Sequence, residues 1–535
     1  MPTQRAQPRS PSQSASPRPK PVKTTLPPSC IVGIGASSGG VSALQDFFKA
    51  MPIDIGVGFV VVQHLAPSHT NFSVPLLAAC TALPVAQATQ GCTVLANHIY
   101  LAPANQTLTI HQGKLQLSAR HDTKQLHLPI DHFFNALGED CGSRAIGIIL
   151  SGLGNDGALG LKTIAAEGGM VLVQDPATAE YDNMPLSAMA TGIANYVLPV
   201  KKMPKVIATY AHHPYVDQDA SKVANEGASR ETQQLLKIIK ERRGYDFAGY
   251  KRTTLMRRIE RRMGLRGILS LLEYVNLLKH NADEVDALFR DLLIGVTEFF
   301  RDAEAWKTLI TDVVTPVVSA KLPDEPIRIW IPGCSTGEEA YTMAMVVLDR
   351  LRQVRKKCPV QIFATDTNNE ALEIGRSGRY PLSIASHISP AKLKRYFVNG
   401  PDSQYYMVND ELRSSVVFGV QNLFADPPFC RVDMISCRNV LIYLEPELQK
   451  RVLNIFHFAL RMNGFLFLGS AESNGNRDDI FKPVSKKWRI FKRVGTSKPD
   501  VLALQLRVAE SRVDQSVALS SSLSPMNQIA SIAQK

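Results

Sequence analysis

The sequence lacks any apolar run of the roughly 18 residues that a membrane-spanning helix needs, and it lacks the apolar block of a secretion signal near its start. Its eight cysteines are scattered, without a Cys-x-x-Cys pair or a nearby histidine pair at metal-binding spacing. These absences exclude disulfide-stapled secreted proteins and zinc ribbons. We therefore expect a cytoplasmic protein with reduced cysteines and no bound metal.

Positive charge is concentrated in two segments. The formal net charge is +12; residues 1–29 carry five basic and no acidic residues, and residues 237–266 carry eleven basic and three acidic ones. The remainder of the chain is near neutral. This distribution argues against a protein that coats nucleic acid uniformly, and it predicts that any acidic partner is met locally.

Length and composition predict several globular domains. A chain of 535 residues with 45% hydrophobic and 20% charged residues has enough apolar material for about two to four domains. Apolar runs alternate with helical patterns in two regions, and a stretch with only helical periodicity separates them. Continuous apolar strands between helices indicate parallel sheets covered on both faces. The predicted fold class is therefore α/β, with two doubly wound parallel-sheet domains separated by a small all-helical subdomain.

The predicted order along the chain is a disordered leader (1–29), a first α/β domain (30–210), a linker (211–228), the helical subdomain (229–311), a second α/β domain (312–497) and a tail (498–535). Two interruptions are expected: a hairpin within residues 98–118 of the first domain, and antiparallel strands near residues 405–420 of the second.

The stretch IVGIGASSGG, residues 31–40, fits more than one pattern. Ser38 stands where the dinucleotide-binding pattern Gly-x-Gly-x-x-Gly needs its third glycine, so the cofactor match is incomplete. Gly35, Ser37 and Gly39 complete Gly-x-Ser-x-Gly, the turn that presents a nucleophilic serine at a strand end. The alternative is that Ser37 or Ser38 only caps the following helix.

Three strand ends of the first domain carry the parts of a hydrolase triad. Ser37, His64 and Asp156 each follow an apolar strand, and parallel strands bring their carboxyl ends to one edge of the sheet. A serine needs an imidazole to accept its proton, and the imidazole needs a carboxylate to orient it. The glycines of SGLGNDG let backbone N–H groups approach an oxyanion. Alternatively, His64 is an ordinary surface residue and Asp156 only a turn residue.

The second domain contains a candidate nucleotide-like site. IRIWIPGCSTGEE is a strand, a glycine loop and a helix start, but it is neither a Walker A loop nor Gly-x-Gly-x-x-Gly. Glu338 and Glu339 would repel a pyrophosphate and attract an ammonium group. Asp366 ends the next strand, where a carboxylate can accept both ribose hydroxyls. This combination favours S-adenosylmethionine; the alternative is that Asp366 is a plain turn residue.

The motifs resemble two known families. GIGASSGG, VVQHLAPSH, LSGLGNDGALGL and QDPATAEYDNMPLSAMATG, within residues 30–200, look like the signature blocks of CheB-family chemotaxis protein-glutamate methylesterases. The resemblance implies that Ser37 is the nucleophile, His64 the general base and Asp156 its orienting partner. Residues 229–495 resemble CheR-family chemotaxis protein-glutamate O-methyltransferases, which implies a Rossmann-like domain and Tyr443 near the transferring methyl. That resemblance implies a cofactor site formed by Thr297, Arg301, Glu339, Asp366, Asn422, Leu423, Arg438 and Asn439.

Three positions depart from these families. Leu153, Gly295 and Ala340 stand where the families usually have methionine, asparagine and proline. The family methionine acts through its backbone N–H, so Leu153 should be able to play the same role. Gly295 has no side chain and therefore removes the polar contact that the family asparagine makes. The antiparallel strands near residues 405–420 match the small β-subdomain with which some methyltransferases of this family grip a receptor tail.

The resemblance implies a bifunctional enzyme that uses S-adenosylmethionine to methylate glutamates of methyl-accepting chemotaxis receptors and hydrolyses the resulting methyl esters. It implies no nucleic-acid partner, and contact with membranes only through receptors. Two alternatives remain at this stage. One is a receptor-binding scaffold without turnover, and the other is a nucleic-acid methyltransferase that uses the basic segment.

The basic segment contains one helix with two distinct faces. Within YKRTTLMRRIERRMG, Arg258, Arg261 and Arg262 share a helical face, while Leu255, Ile259 and Met263 form an apolar row on another. We expect the arginines to form an exposed stripe that meets acidic receptor helices. The alternative is an ordinary solvated surface.

Overall fold

The computed structural model describes residues 26–63, 73–119, 128–216, 229–293, 295–400 and 405–496. Four predictions from the sequence therefore lie partly or wholly outside the described residues: most of the leader, most of the linker, the whole tail, and His64.

The first domain is built on a seven-stranded parallel sheet in the order β3-β4-β2-β1-β7-β8-β9. A two-stranded antiparallel hairpin, β5-β6, confirms the predicted insertion. The strands are β1 Ile31–Ala36, β2 Gly58–Gln63, β3 Val85–Gln87, β4 Ile99–Leu101, β5 Gln106–His111, β6 Lys114–Ala119, β7 Ala145–Ile149, β8 Met170–Gln174 and β9 Tyr196–Leu198. The helices are α1 Gly40–Lys49, α2 Val74–Ala78, α3 Pro129–Cys141, α4 Gly160–Ala166, α5 Asn183–Met189 and α6 Met203–Ala211.

The central strands are buried on both faces, which explains their unbroken apolar sequences. Every residue of β1 and β7 is buried, and the helices cover the sheet with two separate apolar clusters. The register pairs Ala36 with Gln63 and Gly35 with Ile149. The loops that follow β1, β2 and β7 therefore start side by side at one edge.

A four-helix subdomain follows. Its helices are α7 Ser229–Arg243, α8 Arg252–Arg266, α9 Leu271–His280 and α10 Ala282–Leu293. They enclose an apolar cluster of their own, which includes Leu235, Ile259, Tyr274 and Leu288.

The second domain is built on a mixed seven-stranded sheet in the order β15-β11-β10-β16-β17-β19-β18, parallel except at β19 and β18. The strands are β10 Ile327–Pro332, β11 Val360–Asp366, β12 Arg379–Pro381, β13 Phe397–Asn399, β14 Tyr405–Val408, β15 Val416–Val420, β16 Val432–Cys437, β17 Leu460–Leu468, β18 Phe481–Ser485 and β19 Ile490–Arg493. The helices are α11 Ala303–Leu309, α12 Thr315–Ala320, α13 Glu338–Gln353, α14 Asn369–Ser377, α15 Pro390–Tyr396, α16 Asp410–Ser414 and α17 Pro446–Ala459. The predicted α/β class is confirmed for both sheet domains.

The antiparallel interruption has different members from those predicted. Strands β12, β14 and β13 form a small three-stranded antiparallel sheet, whereas β15 joins the main sheet in parallel with β11. Placing residues 416–420 in the antiparallel unit is therefore wrong. The physical reason is that VVFGV is mostly buried, so it suits the edge of a covered parallel sheet.

The domain boundaries stay predictions, but packing favours an earlier end for the helical subdomain than residue 311. Ala305, Trp306 and Leu309 of α11 are buried in the apolar cluster of the second sheet and not in that of the four helices.

The basic helix α8 joins the helical subdomain to the first domain. The Arg258 guanidinium donates to the carbonyls of Ala165 and Ala166 at 3.3 and 2.8 Å, at the end of α4. Leu265 packs into an apolar cluster of the first domain, and the Tyr196 hydroxyl donates to the Leu265 carbonyl. The two domains therefore meet along a buried interface.

The expected exposed stripe on α8 is wrong. Arg258, Arg261 and Arg262 are 4%, 2% and 7% exposed. Arg261 donates to the Gly169 carbonyl at 2.8 Å, and Arg262 is paired with the fully buried Glu284 at 2.7 Å. The arginines share a helical face as predicted, but backbone carbonyls and a buried carboxylate meet that face in place of solvent.

Within the described ranges, no helix combines the length and the apolar character that crossing a membrane requires.

Replacing Arg262 with alanine should strongly destabilise the helical subdomain. Glu284 is fully buried, and burial acts to raise its pKa; its bonds with Arg262 and Arg266 outweigh this effect, so the pKa is lowered overall. Removing one partner of a buried ion pair costs about 3–5 kcal/mol. Urea unfolding of the full chain should show this loss.

The matched control is Lys237→Ala, which breaks the exposed Lys237–Glu241 pair. An exposed pair contributes about 0–1 kcal/mol. Equal losses for the two variants would contradict the stabilising role assigned to the buried pair.

Candidate active sites

Ser37 lies at the carboxyl end of β1, against the loop that follows β7. It is 5% exposed, and its N–H donates to the Ser151 carbonyl at 3.1 Å. A β-carbon placed on Gly152 would lie 2.9 Å from the Ser37 β-carbon. Glycine is therefore needed at position 152, because it lets the glycine-rich loop approach the candidate nucleophile closely.

The capping alternative for the two serines is wrong. Helix α1 begins at Gly40, its N-cap is Gly39 with a φ of 72°, and no side chain caps it. The left-handed conformation at Gly39 makes the sharp turn between strand and helix, as the Gly-x-Ser-x-Gly pattern predicts.

Asp156 is held by the start of α3. Its carboxylate is buried and accepts hydrogen bonds from the N–H groups of Ile130 and Asp131 at 3.1 and 2.9 Å. These N–H groups belong to the first turn of a helix, which leaves them without an intrahelical partner and favours a carboxylate. Burial and the Asp156 charge raise the pKa of Asp131 well above its ordinary value. The carboxylate of Asp156 is thus fixed in orientation, as an orienting partner requires.

The structure brings Ser37 and the loop of Asp156 to the same sheet edge through the adjacent strands β1 and β7. His64 follows β2 in the sequence and lies outside the described residues. The triad therefore stays a prediction.

The carboxyl end of the second sheet opens into a cavity of about 360 Å³. Seven of the eight predicted cofactor residues line it, together with Tyr443: Thr297, Arg301, Glu339, Asp366, Leu423, Arg438 and Asn439. Asn422 is adjacent but not part of the lining, and its side-chain carbonyl accepts from the Phe424 N–H at 3.0 Å.

Asp366 is oriented by the glycine loop. Its two carboxylate oxygens accept from the N–H groups of Ser335 and Asn368 at 2.8 and 2.9 Å. Burial raises the pKa of Asp366 above its ordinary value, against the lowering effect of these N–H donors. Each oxygen has a second acceptor position, so the carboxylate can also bind hydroxyl groups from the cavity.

Arg438 and Glu339 form the opposite-charge part of the cavity. The Arg438 side chain is 1% exposed and pairs with Asp302 at 2.6 Å, while its Nη1 makes no hydrogen bond among the described residues and lies 3.7 Å from a carboxylate oxygen of Glu339. Glu339 accepts from Ser436 Oγ at 2.6 Å. A guanidinium N–H that makes no hydrogen bond, beside a carboxylate, fits the carboxylate and ammonium groups of an amino acid, and Asp366 fits a ribose. The residues present therefore fit S-adenosylmethionine.

Sequence reasoning missed the residue that positions the Arg438 loop. Glu472 is buried and accepts four backbone N–H bonds, from Asn439 at 3.0, Val440 at 2.8, Leu441 at 2.7 and Gly469 at 2.6 Å. These bonds hold a loop in which Asn439 has the left-handed backbone conformation, with a φ of 61°. Glu472 lies more than 30 residues from this loop in the sequence, and no local pattern links the two.

Sequence reasoning also missed two tyrosines of the cavity. Tyr245 and Tyr250 line it, and their hydroxyls share a hydrogen bond of 2.7 Å. Burial raises the pKa of Tyr250 to about 12. Both residues come from the segment between α7 and α8, so the helical subdomain forms part of the cofactor cavity.

The chain matches three family models in succession. These are CheB methylesterase over residues 32–207, the all-alpha domain of CheR methyltransferase over residues 230–293, and the SAM-binding domain of CheR methyltransferase over residues 295–490. The order agrees with that of the sheets and helices described above.

Curated relatives cover different parts of the chain. An uncharacterized 104.1 kDa protein of Rhodobacter capsulatus is 36% identical over 437 residues, which is 78% of this chain and 46% of that protein. The chemotaxis protein methyltransferase of Escherichia coli is 32% identical over 249 residues, 45% of this chain and 83% of that protein. A protein-glutamate methylesterase/protein-glutamine glutaminase of Burkholderia orbicola is 37% identical over 183 residues, 34% of this chain and 54% of that protein.

Fold, cavity and comparisons define a methylesterase domain joined to an S-adenosylmethionine-dependent methyltransferase. The chain belongs to the CheR chemotaxis methyltransferase family and carries a CheB methylesterase domain ahead of the methyltransferase. The prediction of two opposing enzymatic activities with S-adenosylmethionine as cofactor is confirmed by these families.

Replacing Asp366 with alanine should weaken the binding of S-adenosylmethionine by about 1.5–3 kcal/mol for each charge-assisted hydrogen bond lost. Calorimetric titration of the full chain measures this change. Asp410→Ala, an exposed aspartate of the same domain, is the matched control and should bind the cofactor normally. Unchanged affinity in Asp366→Ala would remove Asp366 from the site.

Proposed function

We propose that this chain methylates glutamate side chains of methyl-accepting chemotaxis receptors and hydrolyses the resulting methyl esters, with Ser37, His64 and Asp156 as the catalytic triad. The observation that carries the proposal is the cavity that Asp366, Glu339 and Arg438 line together, with Arg438 Nη1 making no hydrogen bond among the described residues. The proposal includes a cytoplasmic location. Its support is that all eight cysteines are free, which suits a reducing compartment.

Methyl transfer requires little from the protein beyond positioning. S-adenosylmethionine supplies a sulfonium-bound methyl group that a carboxylate oxygen can attack in line. Tyr443 and Arg301, itself one of the predicted cofactor residues, line the cofactor cavity, and we assign to both of them the orientation of the acceptor carboxylate. Holding the reactants in an attack geometry should provide most of the rate.

Ester hydrolysis requires a nucleophile. In the proposed reaction, Ser37 Oγ attacks the ester carbonyl and His64 accepts its proton, so that methanol leaves and an acyl-enzyme remains for water to hydrolyse. The N–H groups of the loop after β7 are the proposed oxyanion donors, and the close approach of Gly152 to Ser37 supports this role.

The two alternatives have less support. The hypothesis of a nucleic-acid methyltransferase requires exposed arginines on the basic helix α8. These arginines are buried against carbonyls and carboxylates. A scaffold without turnover gives no reason for a buried aspartate held beside the Ser37 loop or for a buried arginine in the cavity whose Nη1 makes no hydrogen bond among the described residues.

Ser37→Ala should reduce methanol release from methylated receptor by at least about a thousandfold, because members of a triad act as a unit. Methyl incorporation from labelled S-adenosylmethionine should continue, since Ser37 is not part of the cofactor cavity. Both quantities can be followed in one incubation with receptor membranes.

Ser42→Ala is the matched control, because Ser42 is an exposed serine on α1. This variant should release methanol at the normal rate. Undiminished methanol release by Ser37→Ala would contradict the esterase assignment. A wild-type chain that incorporates no methyl group into receptors would contradict the methyltransferase assignment.

A further inference from the structure

A second cavity, of about 310 Å³, lies between the esterase domain and the methyltransferase domain. Thr163 and Glu139 line it from the esterase side, and Phe299 and His387 from the methyltransferase side. It adjoins the cofactor cavity, because Glu167, Thr297 and Arg301 line both.

The junction lies beside Thr297 and Arg301 of the cofactor cavity. The predicted ribose ligand Asp366 does not line the interdomain cavity, whereas Thr297 and Arg301 do. A third cavity, of about 190 Å³, also lies between the domains and shares Ala166 and Val296 with both of the others. It alone meets the cofactor cavity at Ser335 and Asn368, whose N–H groups bind Asp366, whereas the 310 Å³ cavity alone meets it at Thr297 and Arg301.

An acceptor needs a route to the methyl group that the cofactor carries. In-line transfer requires the acceptor carboxylate to approach the methyl from the side away from sulfur, so the cofactor cannot fill the entrance that the acceptor uses. The arginine face of α8 cannot dock an acidic segment, because it is buried against the esterase domain. Recognition of the acceptor must therefore lie elsewhere on the chain.

We propose that the interdomain cavity is the acceptor entrance of the methyltransferase, and that the esterase domain forms one of its walls. The ligand class is an acidic peptide segment whose glutamate side chain reaches through the cavity to Arg301. This inference rests on the proposed function, and it assigns a substrate-binding role in methylation to residues of the esterase domain.

The esterase wall is held rigidly. Lys162 of α4 pairs with the buried Glu338 at 3.3 Å, beside the glycine loop of the methyltransferase. The N–H groups of Leu382 and Ser383 both point at the Asn155 side-chain amide, so its oxygen must face them. In that orientation the oxygen accepts from the two N–H groups at 2.9 and 2.8 Å. Together with the arginines of α8, these contacts fix α4 against the methyltransferase.

Glu167 is the residue of this wall that should set acceptor specificity. It is exposed at the junction of the two cavities, and its carboxylate has no hydrogen bond or ion pair within the described part of the chain. It is the C-cap of α4, at the negative end of the helix dipole. Three further glutamates line the cavity: Glu338 is paired with Lys162, Glu298 lies 3.4 Å from His387, and Glu139 lies on the esterase side. The negative charge of Glu167 adds to theirs at the junction, opposes entry of acidic segments and limits methylation to acceptors that Arg301 can hold against this repulsion.

The test uses the full chain and a fluorescent synthetic peptide with one receptor methylation segment that contains several glutamates. Three quantities are measured: methyl transfer to the peptide, peptide binding by anisotropy with S-adenosylhomocysteine present, and affinity for S-adenosylhomocysteine. The binding measurement does not depend on turnover.

Thr163→Phe should narrow the cavity from the esterase side and abolish both peptide binding and methyl transfer. Affinity for S-adenosylhomocysteine should not change, because Thr163 lines only the interdomain cavity.

Glu167→Gln, an isosteric change at an exposed residue, should lower the KM for the peptide about two- to fivefold, the size expected for one partly screened like charge. Glu273→Gln, an exposed glutamate on α9 that lines neither cavity, is the matched control and should leave the KM unchanged.

Wild-type binding and methylation by Thr163→Phe would overturn the inference while leaving the methyltransferase function intact. An unchanged KM in Glu167→Gln would overturn the role of Glu167, and this variant serves if Thr163→Phe does not fold. A wild-type chain that binds the peptide but never methylates it would contradict the proposed function, whereas loss of binding in Thr163→Phe would still support the entrance.

Discussion

The arrangement of the two enzymes depends on guanidinium groups bound to the carbonyl end of one helix. A helix leaves its last carbonyls without α-helical partners, and at the end of α4 Arg258 supplies donors to Ala165 and Ala166, while Arg261 donates to Gly169 just after the helix. Burial lowers the pKa of Arg258 to about 10, which still leaves it charged near neutral pH. Positive groups are favoured at the negative end of the helix dipole, so the contact satisfies hydrogen bonds and charge together.

The rest of the interface follows from this contact. With α4 fixed, Glu167 reaches the edge of the cofactor cavity, and Asn155, next to the proposed catalytic Asp156, contacts the methyltransferase at Leu382 and Ser383. Each proposed active site therefore has a neighbour from the other domain. Loss of the arginine contacts would remove the wall of the acceptor entrance and the support beside the esterase loop at once.

Much of the fold could be predicted because the strands are covered on both faces, so β1 and β7 appear as unbroken apolar runs and β10 and β16 as mostly apolar ones, each followed by a loop with proposed functional residues. The sequence could not predict what covers α8: an amphipathic pattern reveals that arginines share a face, but not whether solvent or carbonyl groups meet it. The predicted pairing of β15 was wrong for a related reason, since an apolar run does not specify the direction in which a strand pairs. Glu472, Tyr245 and Tyr250 reach the cofactor cavity only through tertiary contacts that no local pattern records.

The presence of both domains in one chain has a consequence for the amounts of the two activities in the cell. When opposing enzymes are separate chains, the cell sets the modified fraction of a substrate through their relative copy numbers. Under the proposed function, one polypeptide carries both, so every molecule adds equal numbers of forward and reverse sites. The forward and reverse capacities then scale together with expression. The steady-state modified fraction depends on the ratio of two rate constants and is unaffected by fluctuations in the amount of protein.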